Sequence, residues 1–332
     1  MKIRNNIILV TILCLAAFAL GACNYWEAAD QSSINISFGG SNALSVLDKD
    51  KSEMVYTITL TSPGKDTITR TAEKGETHIS IPVSEGKWSI HLRGEGDRRI
   101  GEGRADVAVA AGKPASVFIN MDVTGTKVRD YKELVDDFND GSLPENFFIE
   151  IIGDELIAYS SSDHDSPNVA ILSNGKTITL RAKTKSGSLL IKRDIKTNKI
   201  DSNVFRIKNG TLILDGKPDD TITVNGRKNE LGSIKCTRAL INVETASSKL
   251  IMHNNVTLTN NITANGGGVH VSSGGTFFMY GGTITNNEVE NEGGGVYISG
   301  EFSKTGGTIS SNKAGKRGQN VMLNDNPIDS DY

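Results

Sequence analysis

The feature that most constrains this chain is a pair of glycine-rich copies near its C-terminal end. The segment Gly266–Val271, which reads GGGVHV, recurs 27 residues later as Gly293–Ile298, which reads GGGVYI. The segment Gly281–Asn287, GGTITNN, likewise recurs 25 residues later as Gly306–Asn312, GGTISSN. Repetition at this period predicts that each copy is one structural unit, which buries its apolar side chains only by stacking on its neighbours.

Each copy contains three short β-type runs separated by Gly, Ser or Asn turns, and in the first copy these are Val269–Val271, Thr276–Met279 and Thr283–Thr285. Three strands and three turns in roughly 25 residues predict one coil of a parallel β-helix. Less regular triplets upstream predict three earlier coils, for a total of about five, and Val321–Leu323 would open a sixth. The upstream runs are Val169–Leu172, Thr177–Leu180, Leu189–Lys192, Val204–Ile207, Thr211–Leu214, Thr221–Val224, Ala239–Val243, Lys249–Met252 and Val256–Leu258. The charged insertions 193–203 and 225–238 are expected to project as loops.

Asparagine recurs at one turn of the predicted coils. Asn261, Asn287 and Asn312 follow one another at steps of 26 and 25 residues. In stacked coils these side chains superpose, so their amides can form hydrogen bonds along the column. We therefore predict a structural asparagine ladder at these three positions.

Residues 33–123 predict a separate β-sandwich domain. Alternating runs such as Val55–Leu60 and Trp88–Leu92 are bounded by Gly and Pro turns, and about seven short strands are indicated. The runs Val83–Ile90 and Val109–Lys113 resemble immunoglobulin-like or transthyretin-like modules of bacterial surface proteins. Trp88 is expected to be a core anchor in phase with Ile90 and Leu92, with a sugar-stacking platform as the alternative.

One amphipathic helix is predicted at the start of the second domain. Tyr131, Leu134, Val135 and Phe138 have the helical period, and Asp130 stands at the start, where a carboxylate can cap free N–H groups. An open β-helix end carries unpaired strand edges, so we interpret this helix as the N-terminal cap. The β-helix domain is predicted to span 127–323, followed by a polar tail at 324–332.

The region 129–323 resembles the right-handed parallel β-helix, or pectin-lyase-like, superfamily. Its Gly-Gly-Gly-Val and Gly-Gly-Thr-Ile motifs resemble the repeats of bacterial surface proteins, including spirochaete lipoproteins. The predicted fold class is therefore all-β, with a sandwich followed by a helically capped β-helix.

The N-terminus predicts the compartment. Lys2 and Arg4 precede the apolar segment Ile7–Leu20, which is too short to span a bilayer comfortably. The sequence Leu20-Gly21-Ala22-Cys23 resembles the lipobox of bacterial lipoproteins, and this implies cleavage before Cys23 and diacylation of its thiol. Residues 1–22 are then a signal peptide, and 23–32 a tether to the membrane. The expected location is the cell envelope, as an outer-membrane lipoprotein on either the surface or the periplasmic side.

Charge and cysteine content exclude several classes of function. The chain has 36 basic and 39 acidic residues, so it lacks the basic excess of a nucleic-acid-binding protein. Of its three cysteines, Cys14 leaves with the signal peptide and Cys23 carries lipid. Cys236 remains alone, so no disulfide framework is available, and we expect it to be a small core or turn residue.

The resemblance brings polysaccharide lyases and hydrolases into consideration. Arg206-Ile207-Lys208 matches one motif of the hydrolases, but the accompanying carboxylate motifs are missing, and we expect Arg206 and Lys208 to face solvent around an inward Ile207. Asp215, Asp219 and Asp220 surround turns of a single coil and form no carboxylate column. Asp163-His164-Asp165 is expected to be a solvated turn.

The sequence therefore favours a non-catalytic structural or binding module of the envelope, of an adhesin-like type, with no cofactor, no metal and no nucleic-acid partner. Its membrane contact is the N-terminal lipid, and a glycan or protein ligand would contact the outward faces of the coils. The alternative is a carbohydrate-active enzyme, for which Asp215 and Asp220 are the residues to test.

Replacing the lipidated cysteine tests the anchor. We expect Cys23→Ala to move the protein from the membrane to the soluble fraction, because the acyl chains supply the membrane affinity. Fractionation of cells expressing each form measures this. Continued partition of the variant with membranes would show that the anchor lies elsewhere.

Overall fold

The computed structural model describes residues 32–39, 54–163, 165–196, 199–232 and 235–332. The predicted signal peptide and Cys23 lie outside these residues. The chain divides into two compact units, Met1–Asp122 and Val123–Tyr332, and both are mostly β. No helix among the described residues has the length and apolar character needed to cross a membrane.

The strands of the first unit are β1 (Ser33–Gly39), β2 (Val55–Thr61), β3 (Ile68–Ala72), β4 (His78–Pro82), β5 (Gly86–Glu95), β6 (Arg99–Val109) and β7 (Ala115–Asn120). β8 (Asp122–Val128) begins at the boundary and is followed by α1 (Tyr131–Asn139). The remaining strands are β9 (Asn146–Ile152), β10 (Glu155–Ala158), β11 (Ala170–Leu172), β12 (Thr177–Lys183), β13 (Ser188–Arg193), β14 (Lys199–Ile200), β15 (Phe205–Ile207), β16 (Gly210–Leu214), β17 (Thr221–Asn225), β18 (Lys235–Cys236), β19 (Ile241–Val243), β20 (Ser248–Met252), β21 (Val256–Thr259), β22 (Ile262–Thr263), β23 (Val269–Val271), β24 (Thr276–Met279), β25 (Thr283–Thr285), β26 (Glu288–Val289), β27 (Val296–Ile298), β28 (Glu301–Lys304), β29 (Thr308–Ser310), β30 (Lys313–Ala314), β31 (Val321–Leu323) and β32 (Asn326–Ile328). A 3-10 turn lies at Lys228–Glu230.

The first unit contains two sheets. β3, β2, β5 and β6 form an antiparallel sheet, and β1 pairs with β4 antiparallel and with β7 parallel. Alternate residues of β1, β2 and β5 are buried, and the Phe38 ring of β1 contacts the Tyr56 ring of β2 with 4.6 Å between centroids. The predicted alternation therefore gives two sheets that share apolar side chains.

The second unit is built from three parallel ladders. Ladder 1 runs β8-β9-β12-β16-β20-β24-β28, ladder 2 runs β10-β13-β17-β21-β25-β29, and ladder 3 runs β11-β15-β19-β23-β27-β31. One coil is one passage of the chain through ladders 1, 2 and 3 in turn. The arrangement is consistent with the predicted parallel β-helix, and every strand triplet predicted from the sequence lies on these ladders.

The structure corrects the coil count from about five to six. β9, β10 and β11 form a complete first coil. The sequence does not predict β10, because Glu155–Ala158 is a short run without the glycine turn motif of the repeats. The segment 124–126, which lies between the two predicted domains 33–123 and 127–323, belongs to β8, and β8 pairs with β9 from Gly125 to Val128.

The insertions are only partly loops, and their prediction is corrected in the same way. Lys199–Ile200 pairs in parallel with Lys235–Cys236, and the short ladder β22-β26-β30 occupies the corresponding part of the later coils. Ile200, Leu231 and Cys236 form a buried apolar cluster. These scattered apolar residues hold the charged stretches against the coils.

Inward columns of aliphatic and aromatic side chains form the core of the stack. Ile178, Leu212, Leu250 and Phe277 are Cα partners through successive strands of ladder 1, and each is fully buried. The Phe277 and Phe302 rings continue this column with centroids 5.3 Å apart. Because neighbouring coils supply each other's contacts, removal of one large side chain affects two interfaces.

The predicted asparagine ladder is present. The backbone N–H of Asn261 donates to Asn287 Oδ1 at 3.1 Å, and that of Asn287 donates to Asn312 Oδ1 at 3.0 Å. Asn320 extends the column, since its Oδ1 accepts from the Asn312 backbone N–H at 3.2 Å. Asn260 and Asn286, which precede ladder residues, adopt φ values of 60° and 57°, where asparagine is tolerated better than most residues.

The glycine triplets permit a close approach of successive coils. Gly266 and Gly293 have φ values of 60° and 68°. A Cβ atom on Gly294 would lie 2.1 Å from the carbonyl oxygen of Gln319 in the next coil. No side chain fits this position, which explains why the triplet recurs.

The helix α1 covers the first strand of ladder 3, as predicted for a cap. Asp130 Oδ1 accepts the Glu133 backbone N–H at 2.8 Å and so caps the helix. The Tyr131 hydroxyl donates to the Val204 carbonyl at 2.6 Å and accepts the Ala170 N–H at 3.0 Å. A donor at the edge strand β11 is thereby satisfied by a side chain of the helix.

The C-terminal tail covers two ladders at the opposite end. β32 pairs antiparallel with β31, and Tyr332 exchanges two backbone hydrogen bonds with Ile309 of ladder 2, at 2.8 and 3.0 Å. Asn320 Nδ2 donates to the Ser330 carbonyl at 2.9 Å. The polar tail is therefore part of the end of the stack.

Substitution in the asparagine ladder should destabilise the second unit selectively. The buried Asn287 Nδ2 donates to two carbonyls and to Asn312 Oδ1. We expect Asn287→Ala to lower the free energy of unfolding by about 2–5 kcal/mol, since buried backbone groups lose their partners. Denaturant unfolding measures this. The control Asn286→Gly preserves the positive φ at an exposed neighbour and should change stability by less than about 1 kcal/mol. Equal effects of the two substitutions would contradict a special role for the ladder.

Candidate polar groove on ladder 3

The outward side of ladder 3 carries a column of polar and aromatic residues. Arg206, Asn242, His270 and Tyr297 are Cα partners in successive strands. Each lies between two buried apolar neighbours that point inward, because side chains alternate along a strand. His270 and Tyr297 thus share the outward side.

Arg206 anchors one end of this column. Its Nη1 lies 2.6 Å from Asp165 Oδ1, and its Nε donates to Glu244 Oε1. Only 6% of the residue is exposed, so the prediction of a solvent-facing Arg206 is wrong, although Ile207 points inward as predicted. The guanidinium is covered because two carboxylates, one in the preceding loop and one in the next coil, close over it.

A hydrogen-bonded chain links this anchor to the rest of the column. Asn242 Nδ2 donates to Glu244 Oε1 at 2.8 Å, and Asn242 Oδ1 lies 3.2 Å from His270 Nδ1. The imidazole is parallel to the Tyr297 ring, with 5.2 Å between centroids. Side chains held from both sides in this way have fixed orientations, and fixed polar groups suit selective binding.

His270 is neutral at neutral pH. Burial lowers the pKa of its imidazole, and the nearby positive charge of Arg238 lowers it further, while Glu244 acts in the opposite direction. Its Nδ1–H can then donate to Asn242 Oδ1, which leaves Nε2 as an acceptor.

A groove of about 430 Å³ opens beside this column. Its charged members are compensated, because Arg238 Nε lies 2.6 Å from Asp201 Oδ1 and Glu244 is paired with Arg206. Asn203 is nearly fully buried at the groove, and its Oδ1 has no hydrogen-bond partner among the described residues. The lining consists of Asn203, Thr237, Arg238, Ala239, Asn242, Glu244, Ala264, Asn265, His270 and Ser272. The groove therefore offers amide, hydroxyl and imidazole groups with little uncompensated charge.

Of the two aspartates on either side of position 164, Asp165 belongs to the anchor. Asp165 Oδ1 accepts from Arg206 and from Lys208 Nζ, and these bonds lower the pKa of Asp165 to about 2. Asp163 is exposed, and the side chain of His164 lies outside the described residues. Within the described part of the chain, no group of three or more His, Cys, Asp and Glu side chains is placed to hold a metal ion.

The two aspartates proposed for an enzymatic alternative hold turns together. Asp215 contacts Lys217 Nζ at 2.8 Å and Arg181 Nε at 3.4 Å. Asp220 Oδ1 accepts from both the backbone N–H and the hydroxyl of Thr184, at 2.9 and 2.5 Å. The carboxylate oxygens of both residues are engaged in these contacts within the protein. A glycoside hydrolase instead places two carboxylates on either side of one substrate bond.

Cys236 is a buried residue of the coil, as expected, but with an unforeseen neighbour. Its Sγ contacts Nη1 of the fully buried Arg193 and lies 3.8 Å from Asn261 Oδ1. The thiol thus precedes the asparagine ladder in the column. Trp88 of the first unit is 2% exposed and donates from Nε1 to the Ser84 carbonyl at 2.9 Å, so it is a core anchor and not a platform.

Sequence reasoning missed Asn242, Glu244 and Asn203. They stand in the irregular coils, where no repeat marks which residues superpose. The sequence signal that could have found Asn242 is the match of Ile241-Asn242-Val243 to Val269-His270-Val271, which makes Asn242 the neighbour of His270 in the preceding coil.

Comparisons with protein-family models, with curated proteins and with solved structures find no match to this chain. The groove must therefore be interpreted from its own geometry.

The lowered pKa of His270 predicts a pH dependence of stability. The imidazole of the unfolded chain binds its proton near the ordinary pKa of 6.5, and that of the folded chain binds it only at lower pH. The contribution of His270 to the free energy of unfolding is therefore fully present above about pH 6.5 and is lost as the pH falls below that value. We expect His270→Tyr, which copies Tyr297 of the next coil, to reduce this slope. Urea unfolding at a series of pH values measures it. Identical slopes for both proteins would contradict a buried neutral imidazole.

Proposed function

We propose that the protein is a lipid-anchored module of the bacterial cell envelope that binds a ligand without transforming it. In this proposal Cys23 carries the anchor, residues 33–123 form an immunoglobulin-like or transthyretin-like sandwich, and residues 127–323 form a right-handed parallel β-helix with an N-terminal cap. The lipobox resemblance and the coil repeats support these assignments. The envelope location follows from the anchor.

The observation that carries the binding role is the groove on ladder 3. Its hydrogen-bonding groups are held by the network that joins Arg206, Glu244, Asn242 and His270. The apolar core contacts of these strands come from the inward residues Phe205, Ile207, Ile241 and Val243, and the polar network lies on the other side of the strands. An outward polar network with an adjoining cavity is therefore best explained by a ligand.

The chemistry of the groove favours a neutral ligand rich in hydroxyl groups. Arg238 and Glu244 are already paired with Asp201 and Arg206, so an ionic ligand would compete with existing ion pairs. Amide and imidazole groups can both donate to and accept from hydroxyls. A glycan has this character, and the role resembles that of an adhesin.

An array experiment tests this function. We expect the purified protein to bind members of a glycan array, and Asn242→Ala to weaken that binding about threefold to tenfold, the value of one or two hydrogen bonds. Thr211→Ala, on the outward side of ladder 1, is the matched control and should bind normally. Affinities are measured by biolayer interferometry.

Two outcomes would count against the proposal. Equal binding by wild type and Asn242→Ala would remove the groove as the site. Failure to bind any member of a glycan and protein array would leave the chain a structural role only.

A further inference from the structure

The outward side of ladder 1 carries two aromatic rings that the fold does not use. Phe278 in β24 and Tyr280 just after it lie two residues apart and share one side of the strand. Their rings are inclined by only 11°, with centroids 6.2 Å apart. Tyr280 is 45% exposed and Phe278 is half-buried, whereas the intervening inward residue Met279 is fully buried.

The coils on either side give these rings unequal neighbours. In the preceding coil Ile251 is the Cα partner of Phe278, and the His253 ring lies 5.6 Å from the Tyr280 ring. In the following coil the partner of Phe278 is Ser303, which is exposed and much smaller. The change from a phenylalanine to a serine forms a step on the outer surface of ladder 1.

A cavity of about 420 Å³ lies at this step. Phe278 and Phe302 line it together with Gly300, Leu323 and the polar residues Thr276, Glu301, Ser303 and Asn324, and Tyr280 is not part of this lining. Glu301, Ser303 and Asn324 are exposed and can accept or donate hydrogen bonds to a ligand. The cavity thus combines an aromatic wall with a polar rim, the usual composition of a small-ligand site.

We propose that Phe278 and Tyr280 form a platform that binds an extended, neutral glycan chain. This inference rests on the proposed binding function and adds a second ligand site on a different ladder from the groove. A pyranose has one side of C–H groups, whose partial positive charge is attracted to the negative face of an aromatic ring. Two nearly parallel rings can contact two successive sugar units of one chain.

The rim explains why the chain would be neutral. Glu301 and Ser303 can receive hydroxyl protons, and Asn324 can bind hydroxyls in either sense. The charges beside the rim balance, because Glu301 in the following coil and the exposed Lys249 in the preceding coil are both Cα partners of Thr276, so neither sign of ligand charge is favoured. A peptide could also contact the rings, but the short parallel platform with hydroxyl-binding neighbours fits linked sugar rings better.

Oligosaccharide length provides the first test. We expect the purified protein to bind β-linked oligomers of glucose or of N-acetylglucosamine, with an affinity that rises from the monosaccharide to the tetrasaccharide as the second ring is engaged. Isothermal titration calorimetry with chains of one, two, four and six units measures this. Binding that is independent of length, or absent from both series, would overturn the platform.

Substitutions provide the second test. We expect Tyr280→Ala and Phe278→Leu each to weaken tetrasaccharide binding about tenfold, and Phe278→Leu preserves apolar packing beside Ile251 while it removes the aromatic face. Tyr159→Ala is the matched control, because Tyr159 is 40% exposed but lies outside the platform, and it should bind as wild type. Thermal unfolding of each variant verifies that it is folded.

The two sites can be separated by their variants. If Tyr280→Ala and Phe278→Leu bind tetrasaccharide like wild type while Asn242→Ala does not, the platform is overturned and the groove retains the proposed function. If the platform variants alone lose binding, the inference is supported. Loss in both sets would indicate two sites for one ligand, as proposed.

Discussion

The second unit depends on hydrogen bonds between coils. A strand of a coil has no partner within that coil, so its backbone N–H and C=O groups must pair with the coils before and after it. The asparagine column from Asn261 to Asn320 applies the same rule at a turn, where side-chain amides replace strand pairing. Both ends must then be closed by other means. Tyr131 of α1 satisfies an edge donor at one end, and β32 with Tyr332 pairs at the other.

The predictability of the fold follows from this dependence. In the regular coils identical residues superpose, so the glycine triplets and asparagines showed the strands, the turns and the ladder directly. Asn320 was missed because Gly318-Gln319-Asn320 stands where the two preceding copies have three glycines. The β14–β18 pairing was missed because it joins two charged insertions whose few apolar residues follow no periodic pattern along the chain. The sequence therefore shows which residues superpose in the regular coils but not in the irregular ones.

The candidate sites were harder to predict than the fold for a related reason. Inward positions have one requirement, apolar bulk, which a periodic pattern reveals. Outward positions have no such requirement, so their sequence shows no pattern. A site on the outer surface can be recognised only when it is known which residues of neighbouring coils lie side by side. Arg206 was assigned to solvent because its partners Asp165 and Glu244 are about 40 residues away on either side. Phe278 likewise became informative only when Ser303 was known to be its neighbour.

The near-identity of the coils that begin at Gly266 and Gly293 makes the length of the stack adjustable. Each copy presents the same backbone edge to the next coil, the same glycines where the two coils approach closely, and the same ladder asparagine. A further copy inserted beside them would therefore meet matching surfaces on both sides. Duplication or loss of one such segment in the gene would leave the reading frame and both end closures unchanged. The number of outward surfaces that the stack displays would change by one coil with each such event.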